Sequence, residues 1–188
     1  MQTFLPFSDF EATARALDTK RLGKQRVEVI QIVRALTWPG YGWASHPAVL
    51  MWKGYEEALG RYGLVMCDVW QERGFGDTCA STIATDLRAA GVTSIRSYGE
   101  LEAAAALPPW LFDPALTRSH QSALVRKDPG RYRQLFPDVP DDLPYWWPVR
   151  SPAVVERERR RKENAARRQQ RVLEKVAADV ERRRRRRV

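Results

Sequence analysis

Through residues 1–150, apolar positions recur at steps of three and four, the period of helices that bury one face. Ser8-Asp9-Phe10-Glu11 has the spacing of a capping box and predicts a short helix. Asp18 predicts the cap of a second helix running to about Leu36, with Leu22, Val29, Ile32, Val33 and Leu36 on one face. Lys20, Lys24, Glu28 and Gln31 form the opposite stripe. Arg26 falls among the apolar residues, which fits either an arginine reaching the domain edge or one directed into a cleft between helices.

After the breaker-rich loop Trp38 to Trp43, Ser45 predicts the cap of a third helix, with Pro47 in its first turn. Ala48, Met51, Trp52, Tyr55, Ala58, Leu59 and Tyr62 then repeat at helical spacing, a stripe that reads as core. Gly63 predicts an end or bend, and residues 64–72 read as helical again. Further helices are predicted over 79–90, over 97–106 and around His120. Asp128-Pro129 stops the last of these, and one or two more turns fit 129–136. Residues 74–78, 108–114 and 138–152 interrupt the pattern with Gly, Pro and aromatics. No convincing run of alternating strand positions is found. The expected fold is all-α: one compact helical domain over residues 1–150, then an arginine-rich tail over 151–188 that is either a solvated helix or disordered.

The charge distribution sharpens that division. The chain of 188 residues carries a formal +9; residues 151–188 hold 15 Lys+Arg against 6 Asp+Glu, which leaves 17 against 17 in residues 1–150. A nucleic-acid footprint on the body must therefore be a local patch, with the tail a separate basic element. Cys67 and Cys79 lack metal-ligand spacing and read as free thiols. The opening Met1-Gln2-Thr3-Phe4-Leu5-Pro6 is unlike a secretion signal, and no stretch approaches the roughly 20 apolar residues of a membrane span. A soluble, cytoplasmic protein, nucleoid-associated if it binds DNA, is expected. The sequence calls for no metal, cofactor or obligate protein partner.

Two histidines supply the candidate chemistry. His46 opens what reads as a helix start. His120 shares a helix face with Leu116, Ala123, Leu124 and Lys127, so a histidine and a lysine point where the pattern predicts a core. Buried ionisable groups are costly unless paired, so each is either satisfied structurally or part of a site.

Three stretches together resemble the pyrimidine-dimer DNA glycosylase family, of the phage endonuclease V type. These are Arg21-Leu22-Gly23-Lys24-Gln25-Arg26-Val27, then His46 to Trp52 leading on to Glu72-Arg73-Gly74-Phe75-Gly76-Asp77-Thr78, and Ser119 to Lys127 followed by Tyr132. The resemblance spans roughly residues 1–136, and is nearest to a bacterial branch opening Met-Gln-Thr-Phe-Leu-Pro. It implies a helical protein that binds damaged duplex DNA, cuts the glycosidic bond of a damaged pyrimidine and nicks the abasic site. The family nucleophile is a chain-terminal α-amine. Such a group suits nucleophilic attack near neutral pH, because its pKa is about 7.7–8.0 against about 10.4 for lysine. A glutamate supports the sugar cation.

This chain departs from that pattern at two positions. Gln2 stands where the family has a threonine exposed by removal of the initiator methionine, and it is too large for that removal to be expected. The family glutamate falls at Gly23, while Glu28 faces another direction on the helix. The nucleophile is then expected to be the amine of Met1 or an internal lysine, with Lys127 favoured over Lys24 because burial would lower its pKa.

On this reading DNA is the partner. Arg26, His46, His120 and Lys127 are expected to converge on one cleft as the catalytic set, the histidines replacing the glutamate as acid or base. Lys20, Arg21, Lys24 and Arg118 would hold phosphates, with Gln121, Ser122 and Arg126 also on the DNA side. Aromatics such as Trp43 or Trp110 would wedge into the stack or hold an extruded base. Three alternatives stay open: a non-catalytic DNA-binding protein on the same fold, an enzyme acting on a modified nucleotide or RNA, and a protein unrelated to nucleic acid.

Overall fold

The computed structural model describes residues 1–149, 156, 159–161, 163–172 and 174. Residues 1–149 and 150–188 form two separate units. The first is all-helical, and the described residues contain no strand. Its elements are α1 (Phe10–Ala16), α2 (Thr19–Thr37), α3 (Pro47–Leu50), α4 (Glu56–Glu72), α5 (Cys79–Ala89), α6 (Tyr98–Ala103), a 3-10 turn (Pro109–Phe112), α7 (Pro114–Lys127) and α8 (Pro129–Leu135).

α2 is the central helix and packs on α4 and α5. Of its expected apolar face, Leu22, Val29, Ile32 and Val33 are fully enclosed and Leu36 is partly buried. Asp18 caps it as expected, accepting the Arg21 N–H at 2.9 Å. Tyr132 of α8 fixes that cap by donating its hydroxyl to Asp18 at 2.7 Å. Asp9, rather than Ser8, caps α1 through the Ala12 N–H.

The third predicted helix is divided. α3 lasts four residues, and Gly54 turns the chain with a φ of +84° before α4 starts at Glu56. α4 does not end at Gly63 but runs through it to Glu72. A Cβ on Gly63 would lie 2.7 Å from Val29 and 2.8 Å from Ile83, so glycine lets α4 press close to α2 and α5.

The Arg73-to-Thr78 segment joins these helices. Arg73 donates to the carbonyls of Ala14, Arg15 and Leu17 at the open end of α1. Phe75 stacks on Trp70 at 4.3 Å. Asp77 accepts the Ala80 N–H in the first turn of α5 and pairs with Arg26.

In the second unit residues 163–172 are helical and exposed. Arg159 pairs with Glu156 and Glu163, and Arg160 with Glu156, at 2.6–2.9 Å. Expectations for Ala153 and for the run Arg182 to Arg187 fall outside the described residues.

Candidate active site

The first six residues form no helix or strand, yet Thr3, Phe4 and Leu5 are buried. Buried backbone groups need partners, and here side chains of distant helices supply them. The Gln2 N–H donates to Glu28 at 3.1 Å, the Phe4 N–H to Gln25 at 2.8 Å and the Leu5 N–H to His120 Nδ1 at 2.9 Å. Gln121 donates to the Pro6 carbonyl at 2.8 Å, and Trp52 Nε1 to the Thr3 hydroxyl at 3.0 Å. The start of the chain is thereby bound along α2 and α7.

This clamp delivers the Met1 α-amine to within 3.9 Å of the Glu28 carboxylate, which is itself 6% exposed. Lys24 Nζ lies 3.6 Å from the other Glu28 oxygen. Amine and carboxylate sit in a cleft of about 500 Å³, whose lining includes Lys20, Arg21, Lys24, His46, Lys127, Tyr145 and Trp147. Three lysines and an arginine thus surround one carboxylate and one amine, an arrangement suited to a polyanion approaching a nucleophile.

His46 caps α3, its Nδ1 accepting the Ala48 N–H at 3.1 Å. Its pKa is lowered by burial first, then by the positive chain-terminal amine, against an opposing pull from Glu28. With Nδ1 accepting the Ala48 N–H, the neutral ring carries its proton on Nε2, so His46 offers the cleft a donor rather than a base.

His120 has a different situation. It is fully buried, and burial holds its pKa down to about 3. With Nδ1 accepting the Leu5 N–H, the ring proton belongs on Nε2, which donates to the Gln2 side-chain amide 2.8 Å away when that amide presents its oxygen. Both nitrogens are engaged, so His120 positions the chain start instead of serving as acid or base near neutral pH.

The remaining expected residues divide. Lys127 lines the cleft but is exposed at the end of α7, which removes the argument that burial activates it. Lys20 and Lys24 are exposed at the cleft. Arg21 also lines it, paired with Asp18 and lying 5.3 Å over Tyr132. Arg118 is exposed on α7 and does not line the cleft.

Arg26 is turned away from the cleft. It pairs with Asp77, whose side chain is 1% exposed, and lies 4.0 Å over the Trp70 ring. Burial pushes the Asp77 carboxyl up, but the backbone N–H groups of Ala80 and Cys79 together with Arg26 outweigh it and hold it below the usual range.

Gln121, Ser122 and Arg126 bind the chain itself. Ser122 accepts the Leu143 N–H at 3.1 Å, and Arg126 donates to the carbonyls of Asp141 and Leu143 at 2.9 and 3.3 Å. Trp110 is buried, donating to the Met51 carbonyl at 3.0 Å, and so cannot wedge into DNA; Trp43 is exposed.

The sequence reading missed Glu28. Position 23 is crowded for a carboxylate, because even a Cβ there would come within 2.9 Å of the Trp70 ring. Four residues on from Lys24, Glu28 occupies the helix face that the chain start covers. The signal was the polar stripe Lys20, Lys24 and Glu28, which reads as solvated until something is laid across it.

Residues 1–82 match the family model of pyrimidine dimer DNA glycosylase. That segment holds the amine, Glu28, His46 and α1 to α4, and over it the resemblance to the glycosylase family is supported. The Ser119-to-Lys127 stretch lies beyond the match. No curated protein and no solved structure matches the chain. Among the described residues, no group of three His, Cys, Asp or Glu could hold a metal, and no helix is long and apolar enough to cross a membrane.

Proposed function

We propose that the cleft is the active site of a DNA glycosylase with abasic-site lyase activity, with the chain-terminal amine as nucleophile. The observation that carries this reading is the amine of Met1 held 3.9 Å from a buried glutamate inside a lysine-rimmed cleft. Burying a carboxylate is costly unless it is paired, and Glu28 is paired with the groups such a reaction would use.

The unprotonated amine attacks the sugar C1′. The bond from C1′ to the base breaks, and the base leaves with the electron pair and takes up a proton. Glu28 takes the amine proton and passes it to the ring oxygen as the C1′–O4′ bond opens, which gives a protonated imine. Removal of a C2′ proton then expels the 3′ phosphate by β-elimination. Water hydrolyses the imine and frees the amine. Lys20, Lys24, Arg21 and Lys127 hold phosphates beside the reacting sugar, where their charge acts on the polyanion whatever its sequence.

Borohydride reduction on a duplex with one abasic site tests this directly. The expected result is a covalent complex that survives Lys127→Ala and Lys24→Ala, disappears when one residue is added before Met1, and carries the DNA remnant on the N-terminal peptide. A complex lost in Lys127→Ala but kept in the extended chain would assign the nucleophile to Lys127. Tight binding without any trapped complex would favour a non-catalytic DNA-binding protein.

A further inference from the structure

Residues 97–117 hold three carboxylates, Glu100, Glu102 and Asp113, and no Lys, Arg or His, in a chain with 32 Lys+Arg. Two of the three serve the fold. Glu100 closes the capping box of α6 with Ser97, and Asp113 caps α7 by accepting the Ala115 N–H at 2.8 Å. The Glu102 side chain is exposed and has no ion-pair or hydrogen-bond partner among the described residues. It lines a cavity of about 550 Å³ together with Tyr55, Ala105, Leu107, Pro109 and Phe112. That volume suits a ligand pocket, and none of these residues lines the cleft that holds the amine.

The wall of this cavity keeps side chains that the fold alone would not favour. α4, α5 and α6 end in the same way, with a residue of positive φ whose successor donates back to the last turn. Gly74 and Gly91 fill that place after α4 and α5, with φ of +86° and +94°. After α6 it is Ala105, with φ +51°, although glycine is the residue that suits such a turn. The retained methyl lines the cavity. Phe112, on the 3-10 turn, lines it too and leaves 52% of its surface in solvent.

Charge and shape narrow the ligand. Two aromatic rings beside one unpaired carboxylate suit a flat cation. A guanidinium stacks on such rings and offers a carboxylate two parallel N–H groups; an ammonium gains less from both. A phosphate backbone would meet only the charge of Glu102. Free arginine would bring its own carboxylate to a wall that has no cation to receive it. An arginine inside a peptide brings none, and its apolar neighbours would meet Ala105, Leu107 and Pro109.

We propose that this cavity is a docking site for an arginine side chain of a protein partner, with Glu102 taking the guanidinium charge and Tyr55 and Phe112 its faces. The proposal is independent of the reaction in the cleft.

The test uses the full chain labelled with nitrogen-15, with amide shifts followed on titration. The probes are the peptide acetyl-Ala-Leu-Arg-Leu-Ala-amide, its lysine analogue and free L-arginine. The arginine peptide should give saturable shifts gathered on residues 101–112, and the lysine peptide and free arginine should bind several-fold more weakly. Glu102→Gln should weaken the arginine peptide about tenfold, and Phe112→Ala about threefold. Both changes are at exposed positions, so the circular dichroism of the parent should be kept. Glu11→Gln removes the same charge from α1, where Glu11 pairs with Arg15, and should leave the affinity unchanged. Shifts gathered on another face, an undiminished affinity in Glu102→Gln, or free arginine binding as tightly as the peptide would overturn the proposal.

Discussion

The backbone N–H of Gln2 donates to the Glu28 carboxylate at 3.1 Å, joining the start of the chain to the middle of α2. That bond orients the carboxylate and places the preceding amine beside it. One residue therefore serves both the fold and the proposed reaction, and conservative replacement can separate the two roles.

Glu28→Gln keeps an oxygen to accept the Gln2 N–H but loses the charge and the proton-accepting capacity. Single-turnover nicking of abasic DNA should fall about 10²–10⁴-fold, the usual worth of a positioned acid or base. Urea denaturation should show a much smaller effect on folding. Nicking at the parent rate would remove Glu28 from the chemistry.

His120 gives the body a pH dependence. Its folded pKa of about 3 lies below the unfolded value of about 6.5, so the unfolded chain binds more protons between them. The stability contributed by neutral His120 is present above about pH 6.5 and is lost as pH falls towards about 3, at no more than about 1.4 kcal/mol per pH unit. His120→Asn should remove this component from the pH profile of the denaturation midpoint. An unchanged acid slope in that variant would place its origin elsewhere.

Arg26 should matter for stability first. Arg26→Ala leaves the Asp77 carboxylate buried without its partner and should cost about 3–5 kcal/mol. The double variant Arg26→Ala/Asp77→Ala should cost less than the two single changes summed. A stable Arg26→Ala protein without nicking activity would instead return Arg26 to the site.

Gly23 offers a test of sign. Alanine in place of glycine within a helix normally stabilises by about 0.5–1 kcal/mol. Here the added Cβ meets the Trp70 ring, so Gly23→Ala should destabilise by about 1–3 kcal/mol. A rise in thermal midpoint would show that Trp70 yields.

Removing residues 151–188 takes away 15 of the 32 Lys+Arg. Residues 1–149 form a unit of their own, so the shortened chain should stay folded by circular dichroism. The dependence of log K on log salt should flatten by about 0.9 for each phosphate that the tail neutralises. An unchanged slope would show that the tail does not touch DNA.

Periodicity alone was enough for the helical class, for α2 with its Asp18 cap, and for the stop at Asp128-Pro129, because caps, prolines and apolar spacing act within a few residues. It was also enough to single out His46 and Lys127, which do line the cleft. It failed where distant segments meet. Gly54 and Gly63 look alike in sequence, yet one turns the chain and the other permits close helix packing. Arg26 read as a cleft residue until Asp77, from the turn before α5, paired with it. Glu28 read as part of the polar stripe opposite the apolar face. It became a buried carboxylate only when residues 1–5, which have no periodicity to announce them, were laid across α2. Helix formation is local and leaves its period in the sequence; burial of a polar residue beneath an extended segment depends on partners from Gln25 to His120, and only the folded chain assembles them.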